Sequence, residues 1–154
     1  MNEANAIERA APAHYPELVD VWEAAVRATH HFLPEAYIQA IRPLLLQEYL
    51  PVVGVYYVRD TAGDIVGFIG VLGSKAEMLF VHPRGHKKGI GKLLMTYAIK
   101  NMGVTTVDVN EQNEGAVGFY QHLGFKVVSR SPEDAMGKPY PILHLALAGE
   151  KEVG

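Results

Sequence analysis

Between residues 52 and 81 the chain reads VVGVYYV, DIVGFIGVLG and AEMLFV, apolar runs with a turn at RDTAG (59–63) after the first and another at Gly73–Ser74 after the second. Runs so rich in Val, Ile, Phe and Tyr, joined by such short connections, predict three consecutive antiparallel strands. A sheet of that apolar content has to be covered, and the flanking sequence carries helical spacing on both sides. Upstream, Leu18, Val19, Trp22, Ala25 and Val26 recur at threes and fours, which predicts an amphipathic helix from Tyr15 to near Thr29. Pro34 suits the first turn of a second helix over residues 35–41, with Pro43 kinking or restarting it before Tyr49. Downstream, Ile90, Leu93, Leu94, Tyr97 and Ala98 share one helical face over residues 89–102, opposite Lys92, Thr96 and Lys100. The remainder predicts a buried strand at 104–109, a helix at 113–123 closed by Gly124, a strand at 125–129, a turn-rich stretch at 131–141 and a last strand at ILHLAL. Residues 5–10 suit a short first strand. This order predicts a mixed α/β (α+β) fold, a mostly antiparallel central sheet with helices on both faces.

At 154 residues, 49% of them hydrophobic, the chain is expected to form a single domain, 1–154, with a core that needs no staple. Cysteine is absent, which excludes a disulfide framework, a thiolate zinc site and a cysteine nucleophile. The opening MNEANAIERAAPAH carries acids where a secretory signal would be basic, and no apolar run approaches a membrane span. A cytoplasmic protein with no membrane partner is expected. The net charge of −3 argues against a nucleic-acid binder. That average hides an asymmetry. Between Glu77 and Asp108 no acidic residue occurs, while Arg84, Lys87, Lys88, Lys92 and Lys100 fall there with His82 and His86. Such a window suits an anionic ligand; the plainer alternative is a solvated basic helix face.

The window belongs to LFVHPRGHKKGIGKLLM at 79–95, an apolar strand, a basic glycine-containing loop and a helix opening at Gly89 and Gly91. The amides that open a helix have no intrahelical partner and sit at its positive end, so they suit a phosphate. The loop is not a Walker loop, because Leu93 follows Lys92 where Ser or Thr is required. Nor is it the dinucleotide glycine motif, since Leu94 stands at its third glycine. His82 and His86 lack a nearby carboxylate to complete a metal set, so no metal is expected.

VHPRGHKKGIGKLL followed by VNEQNEGAVGFYQHLGF is similar to the two central motifs of the GCN5-related N-acetyltransferase (GNAT) family, over residues 77–125. THHFL at 29–33, VNEQNE at 109–114 and GKPYPILHL at 137–145 look like one bacterial subgroup of it. The resemblance implies acetyl-CoA as donor and an amine as acceptor, attacked directly without a covalent enzyme intermediate. It implies that the loop of His86, Lys87, Lys88, Gly89, Ile90, Gly91 and Lys92 wraps the pyrophosphate. The family usually has Gln or Arg where His86 stands, so the backbone role carries over and that side chain's does not. Leu79, Phe80 and Val81 would pair with pantetheine, and a main-chain N–H around Leu79 or Phe80 would stabilise the oxyanion. Asn110 and Asn113 match positions near the cofactor. Tyr120 matches the tyrosine that protonates the departing thiolate, its alternative being a core aromatic spaced at three from Val117 and Leu123. Glu77 is the leading general-base candidate, its alternative an exposed strand carboxylate. His30 and His31 lie in a region that often covers the acceptor pocket, and Tyr140 in a tail able to reach it; a helix-end cap and a packed ring are the plainer roles of the histidines. The acceptor implied is a protein lysine or a small amine, with a non-catalytic acetyl-CoA sensor as the rival from another class. Family members often pair as homodimers.

Overall fold

The computed structural model describes residues 6–148. The chain divides into two compact units, residues 1–104 and 105–154. In the first, β1 (Ile7–Arg9), β2 (Gly54–Arg59), β3 (Ile65–Leu72) and β4 (Lys75–Val81) lie side by side in chain order. Every pairing is antiparallel, with Val55 opposite Gly70 and Phe68 opposite Phe80. The meander read from the apolar runs is therefore present, with β1 added at its edge. Alternate residues of the strands face opposite layers. Val55, Tyr57 and Phe68 join Leu18, Val19, Trp22 and Val26 of α1 (Tyr15–Thr29) and Ile38 of α2 (Glu35–Leu44) in one core. On the other face Tyr56 meets Tyr97 of α3 (Ile90–Met102) at 5.7 Å between ring centroids.

Two details depart from the expected pattern. The second helix extends beyond residue 41 and holds Pro43 inside it. It runs on to Leu44, and the missing proline N–H is followed by a widened turn at Leu45–Tyr49 that buries Leu45. The α3 face is also rotated slightly: Ile90, Leu94, Met95 and Ala98 are buried, while Leu93 and Tyr97 are only half-buried.

The second unit holds β5 (Thr106–Asn110), α4 (Glu114–His122), β6 (Phe125–Ser131) and β7 (Ile142–Leu147). Its strands run β5-β7-β6, antiparallel, so the last strand of the chain lies between the other two. β5 alternates, burying Val107 and Val109 and leaving Thr106, Asp108 and Asn110 half-buried. No helix among the described residues is long and apolar enough to cross a membrane.

Candidate functional site

In the first unit the site begins at an irregularity in β4. Gly70 pairs with Met78 but Val71 pairs with Ala76, so Glu77 is the extra residue of a bulge. A bulge re-aims the side chain it carries. Glu77 is exposed, with Lys75 Nζ 3.8 Å from its carboxylate. Leu79, Phe80 and Val81 continue the strand half-buried, Phe80 against Phe68 at 5.8 Å.

Past β4 the chain is tied down bond by bond. The His82 N–H donates to the Val66 carbonyl at 2.8 Å. His82 Nδ1 accepts the Arg84 N–H at 3.2 Å, while the Gly85 and His86 amides fold back on the carbonyls of His82 and Pro83. Burial, then the Arg84 and His86 charges, lower the His82 pKa and favour the neutral acceptor this turn uses. Arg84 is committed to Asp60 and Asp64 at 3.3 and 3.7 Å.

The loop then enters left-handed backbone at Lys87 (φ 65°) and Gly89 (φ 77°), and Lys87 is the only non-glycine residue with positive φ among those described. Such a conformation costs on the order of 1 kcal/mol and concentrates at sites that bind. The amides of Lys87, Gly89, Ile90, Gly91 and Lys92 have no hydrogen-bond partner among the described residues; Leu93, donating to Gly89 at 2.9 Å, is the first amide inside the helix. Bare amides at the positive end of a thirteen-residue helix form a cradle for a phosphate. His86, Lys87, Lys88 and Lys92 are exposed around it. Gly67 sets where the cradle sits, because a Cβ there would lie 2.6 Å from Ile90 Cγ2.

In the second unit Asn110 closes β5, and its carbonyl accepts the Asn113 N–H at 3.0 Å. Asn113 is the N-cap of α4, its Oδ1 accepting the Ala116 N–H at 3.2 Å. Tyr120, near the end of that helix, is 7% exposed. Phe119 and Phe125 stand edge-on to it at 5.2 and 5.9 Å. No hydrogen bond reaches its hydroxyl among the described residues, yet no fully buried polar side-chain atom there lacks a partner. The ring is packed and the hydroxyl is not fully buried. Burial raises the Tyr120 pKa, so the phenol keeps its proton.

The remaining candidates divide. His30 is buried, 8% exposed, with Nδ1 2.8 Å from Thr29 Oγ1 and its ring 5.4 Å from Phe32. It closes α1, its N–H donating to the Val26 carbonyl, as a helix-end cap and packed ring would. His31 is exposed, and the half-buried Tyr140 donates its N–H to the Lys138 carbonyl in the loop before β7. No group of three or more potential metal-ligating His, Cys, Asp or Glu side chains occurs among the described residues. Asp108, His144 and Ser131 are hydrogen-bonded in a row across β5, β7 and β6, at 2.7 Å each. That constellation escapes a reading of the sequence, because it depends on β7 lying between β5 and β6.

Comparison with known proteins shows the family. The acetyltransferase (GNAT) domain family matches residues 53–127. The peptidyl-lysine N-acetyltransferase YjaB of Escherichia coli is 40% identical over 133 residues, covering 86% of this chain and 90% of that protein. The solution structure of apo YjaB superposes with a TM-score of 0.84 at 38% identity, over 94% of this chain and 97% of that one. The PaiA N-acetyltransferase of Thermoplasma acidophilum, solved with coenzyme A, shares the fold at 22% identity, with a TM-score of 0.69 over 90% of this chain and 96% of that one. The chain belongs to the GNAT family of acetyltransferases. It is a YjaB-type N-acetyltransferase, with acetyl-CoA as the acetyl donor.

Proposed function

We propose that the acceptor is a protein lysine in the cytoplasm, and that its amine attacks the thioester directly. The bare amides of Lys87, Gly89, Ile90, Gly91 and Lys92 carry the donor half of this reading. The names of the YjaB relatives support the lysine. The cradle amides hold the pyrophosphate, with Lys87, Lys88 and Lys92 adding charge and His86 contributing its backbone. Leu79, Phe80 and Val81 present main-chain groups to pantetheine as a neighbouring strand would, and an N–H at Leu79 or Phe80 meets the charge that develops on the carbonyl oxygen. Asn110 and Asn113 contact the donor from their turn. His31 and Tyr140 line the acceptor side, and His30 closes the end of α1.

Only a neutral amine has the lone pair for attack, so an alkylammonium first loses a proton. Glu77, re-aimed by its bulge and exposed, takes it through water. When the adduct collapses the C–S bond breaks and the sulfur needs a proton, which the Tyr120 phenol supplies. Burial that raises the phenol's pKa also raises that of a thiolate leaving in the same surroundings, so the transfer stays matched.

Tyr120→Phe tests this assignment. Acetyl-CoA affinity by calorimetry should stay within about threefold, while thiol release with a lysine peptide should fall about 100-fold, the scale of lost general-acid catalysis. Equal turnover in the two proteins would remove Tyr120 from the chemistry, and donor binding without release from any amine in the wild type would favour a sensor.

A further inference from the structure

Arg84 stands three residues ahead of Lys87, the first bare amide of the cradle, and turns its guanidinium towards the turn between β2 and β3. Its Nε lies 3.3 Å from Asp60 Oδ2 and its Nη2 lies 3.7 Å from Asp64 Oδ2. Asp60 serves both sides of this link. Its Oδ1 accepts the N–H groups of Ala62 and Asp64, each at 3.0 Å, which closes the turn and leaves Oδ2 for Arg84. The Asp64 amide, opposed by desolvation and helped by Arg84 and the Ala62 amide, holds the Asp60 carboxyl below the usual carboxylate range. The turn is itself anchored. Arg59 Nη1 donates to the Gly63 carbonyl at 2.7 Å, and the Ile65 N–H donates to Glu17 Oε2 on α1 at 3.0 Å.

On the loop side, Arg84 belongs to a stretch of backbone with little freedom. Its N–H donates to His82 Nδ1, and Gly85 beside it is buried. A Cβ on Gly85 would meet Val81 Cγ1 at 3.3 Å, Val66 Cβ at 3.5 Å and Ile90 Cγ1 at 3.6 Å, so this backbone lies close against β3, β4 and the start of α3. The next tie is a long one, the Lys88 N–H reaching the Gly85 carbonyl at 3.4 Å. Yet this part of the loop carries the left-handed Lys87 and leads into the bare amides. A residue in that conformation persists only where its surroundings hold it. The aim of the cradle is therefore set at Pro83–Gly85, and Arg84 is the side chain that fastens those residues to a neighbouring, anchored turn.

We propose that Asp60 and Arg84 are positioning residues for the donor, a buckle from the β2–β3 turn that holds the amide cradle to the shape of a pyrophosphate; the inference rests on the cradle reading above. Both act through the backbone and not on the donor itself. With the buckle closed the amides are in place before the donor arrives, and less ordering remains to be done on binding. With it open they sample other directions, and a pyrophosphate meets fewer of them at once. The effect is specific to that part of the donor: a thioester that lacks the pyrophosphate does not register the buckle. Its size is modest, because the Arg84 and Asp60 side chains are 47% and 28% exposed and water screens the pair.

The test compares wild type, Asp60→Asn, Arg84→Gln, the double variant and Arg84→Lys in calorimetric acetyl-CoA binding, thermal melting and turnover with a lysine peptide. Turnover is measured with acetyl-CoA and with S-acetyl-N-acetylcysteamine, a donor that keeps the acetyl thioester and has no pyrophosphate. Asn at position 60 retains a carbonyl oxygen for the Ala62 and Asp64 amides, so the turn stays closed while the tie to Arg84 is lost. Expected is a rise of about three- to fivefold in Kd and KM for acetyl-CoA in Asp60→Asn and in Arg84→Gln, with kcat unchanged and the double variant no worse than either. Arg84→Lys keeps a cation facing Asp60 and should recover part of the loss, and turnover of the truncated donor should stay at the wild-type level throughout. Wild-type affinity for acetyl-CoA in both single variants overturns the buckle. So does an equal loss with both donors, or one that follows the melting temperature, as a general weakening of the fold would show. Tighter binding in Asp60→Asn also overturns it, because the released Arg84 would then be acting on the phosphates directly. Should the wild type use acetyl-CoA no better than the truncated donor, the cradle reading falls and takes the buckle with it; a preference for acetyl-CoA that wild type and variants share alike removes the buckle alone.

Discussion

His30 shows how burial of one ring writes a pH dependence into the whole fold. Desolvation, and secondarily the charge of His31, lowers its pKa from 6.5 to about 4. Above pH 6.5 the imidazole is neutral in both folded and unfolded chains and contributes nothing to the pH dependence. Below that, the unfolded chain binds a proton that the folded chain refuses, so stability falls as pH drops from 6.5 towards 4. The full loss is on the order of 3 kcal/mol, accumulating at about 1.4 kcal/mol for each pH unit crossed between those two values. Urea unfolding at pH 7.5 and 4.5 should show this slope in the wild type and a flatter one in His30→Asn, even if that variant starts lower at pH 7.5. Identical slopes would mean that the folded chain protonates the ring as readily as the unfolded chain does. The cost explains why a packed cap is a better account of His30 than a proton carrier, whose job requires accepting protons near neutrality.

At the scale of elements, the site depends on where α3 begins, and Gly67 decides that. Its missing Cβ leaves room for Ile90, and Gly67→Ala would set a methyl 2.6 Å from Ile90 Cγ2. Overpacking of this kind costs about 1–3 kcal/mol. It should also push the helix start off its seat and weaken acetyl-CoA binding in calorimetry. Gly118→Ala in α4 is the opposite case, since nothing lies within 4 Å of its added Cβ. It should raise stability by about 0.5–1 kcal/mol and leave donor affinity alone. Equal effects of the two on affinity would show that the seating of α3 does not matter. Most elements are legible in the chain because their signals are local: the apolar runs of β2 to β4, the spacing of α1 and α3, and Gly103 and Gly124 after α3 and α4 in positive φ. The basic loop before α3 is legible for the same reason, its basic residues, glycines and helix start being consecutive. The Glu77 bulge and the Asp108–His144–Ser131 row are not legible, since both are matters of register between strands. VTTVDVN and ILHLAL each show alternation, but nothing in either says that β7 enters between β5 and β6, or that Val128 shifts Ser131 by one place.

For the molecule as a whole, charge and ligand look mismatched, because a chain of net charge −3 binds a polyanion. Local placement resolves this. Arg84, the first cation of the window, is held by Asp60 and Asp64 and adds little net field. Lys87, Lys88 and Lys92 stand exposed around the bare amides. Lys100 lies eight residues further along α3, roughly 12 Å at 1.5 Å per residue. Raising salt from 0.1 M to 1 M shortens the screening length from about 10 Å to about 3 Å, so attraction by the three loop lysines weakens while hydrogen bonds to the amides persist. Acetyl-CoA affinity should therefore fall several-fold over that range without vanishing. Combined replacement of Lys87, Lys88 and Lys92 by Gln should flatten the salt dependence, and Lys100→Gln, a screening length away from the cradle, should leave it as in the wild type. A dependence equally steep in the triple variant would assign the attraction to the amides and the helix dipole alone. The local field would then serve encounter rather than affinity, and stopped-flow association rates would be where the lysines register.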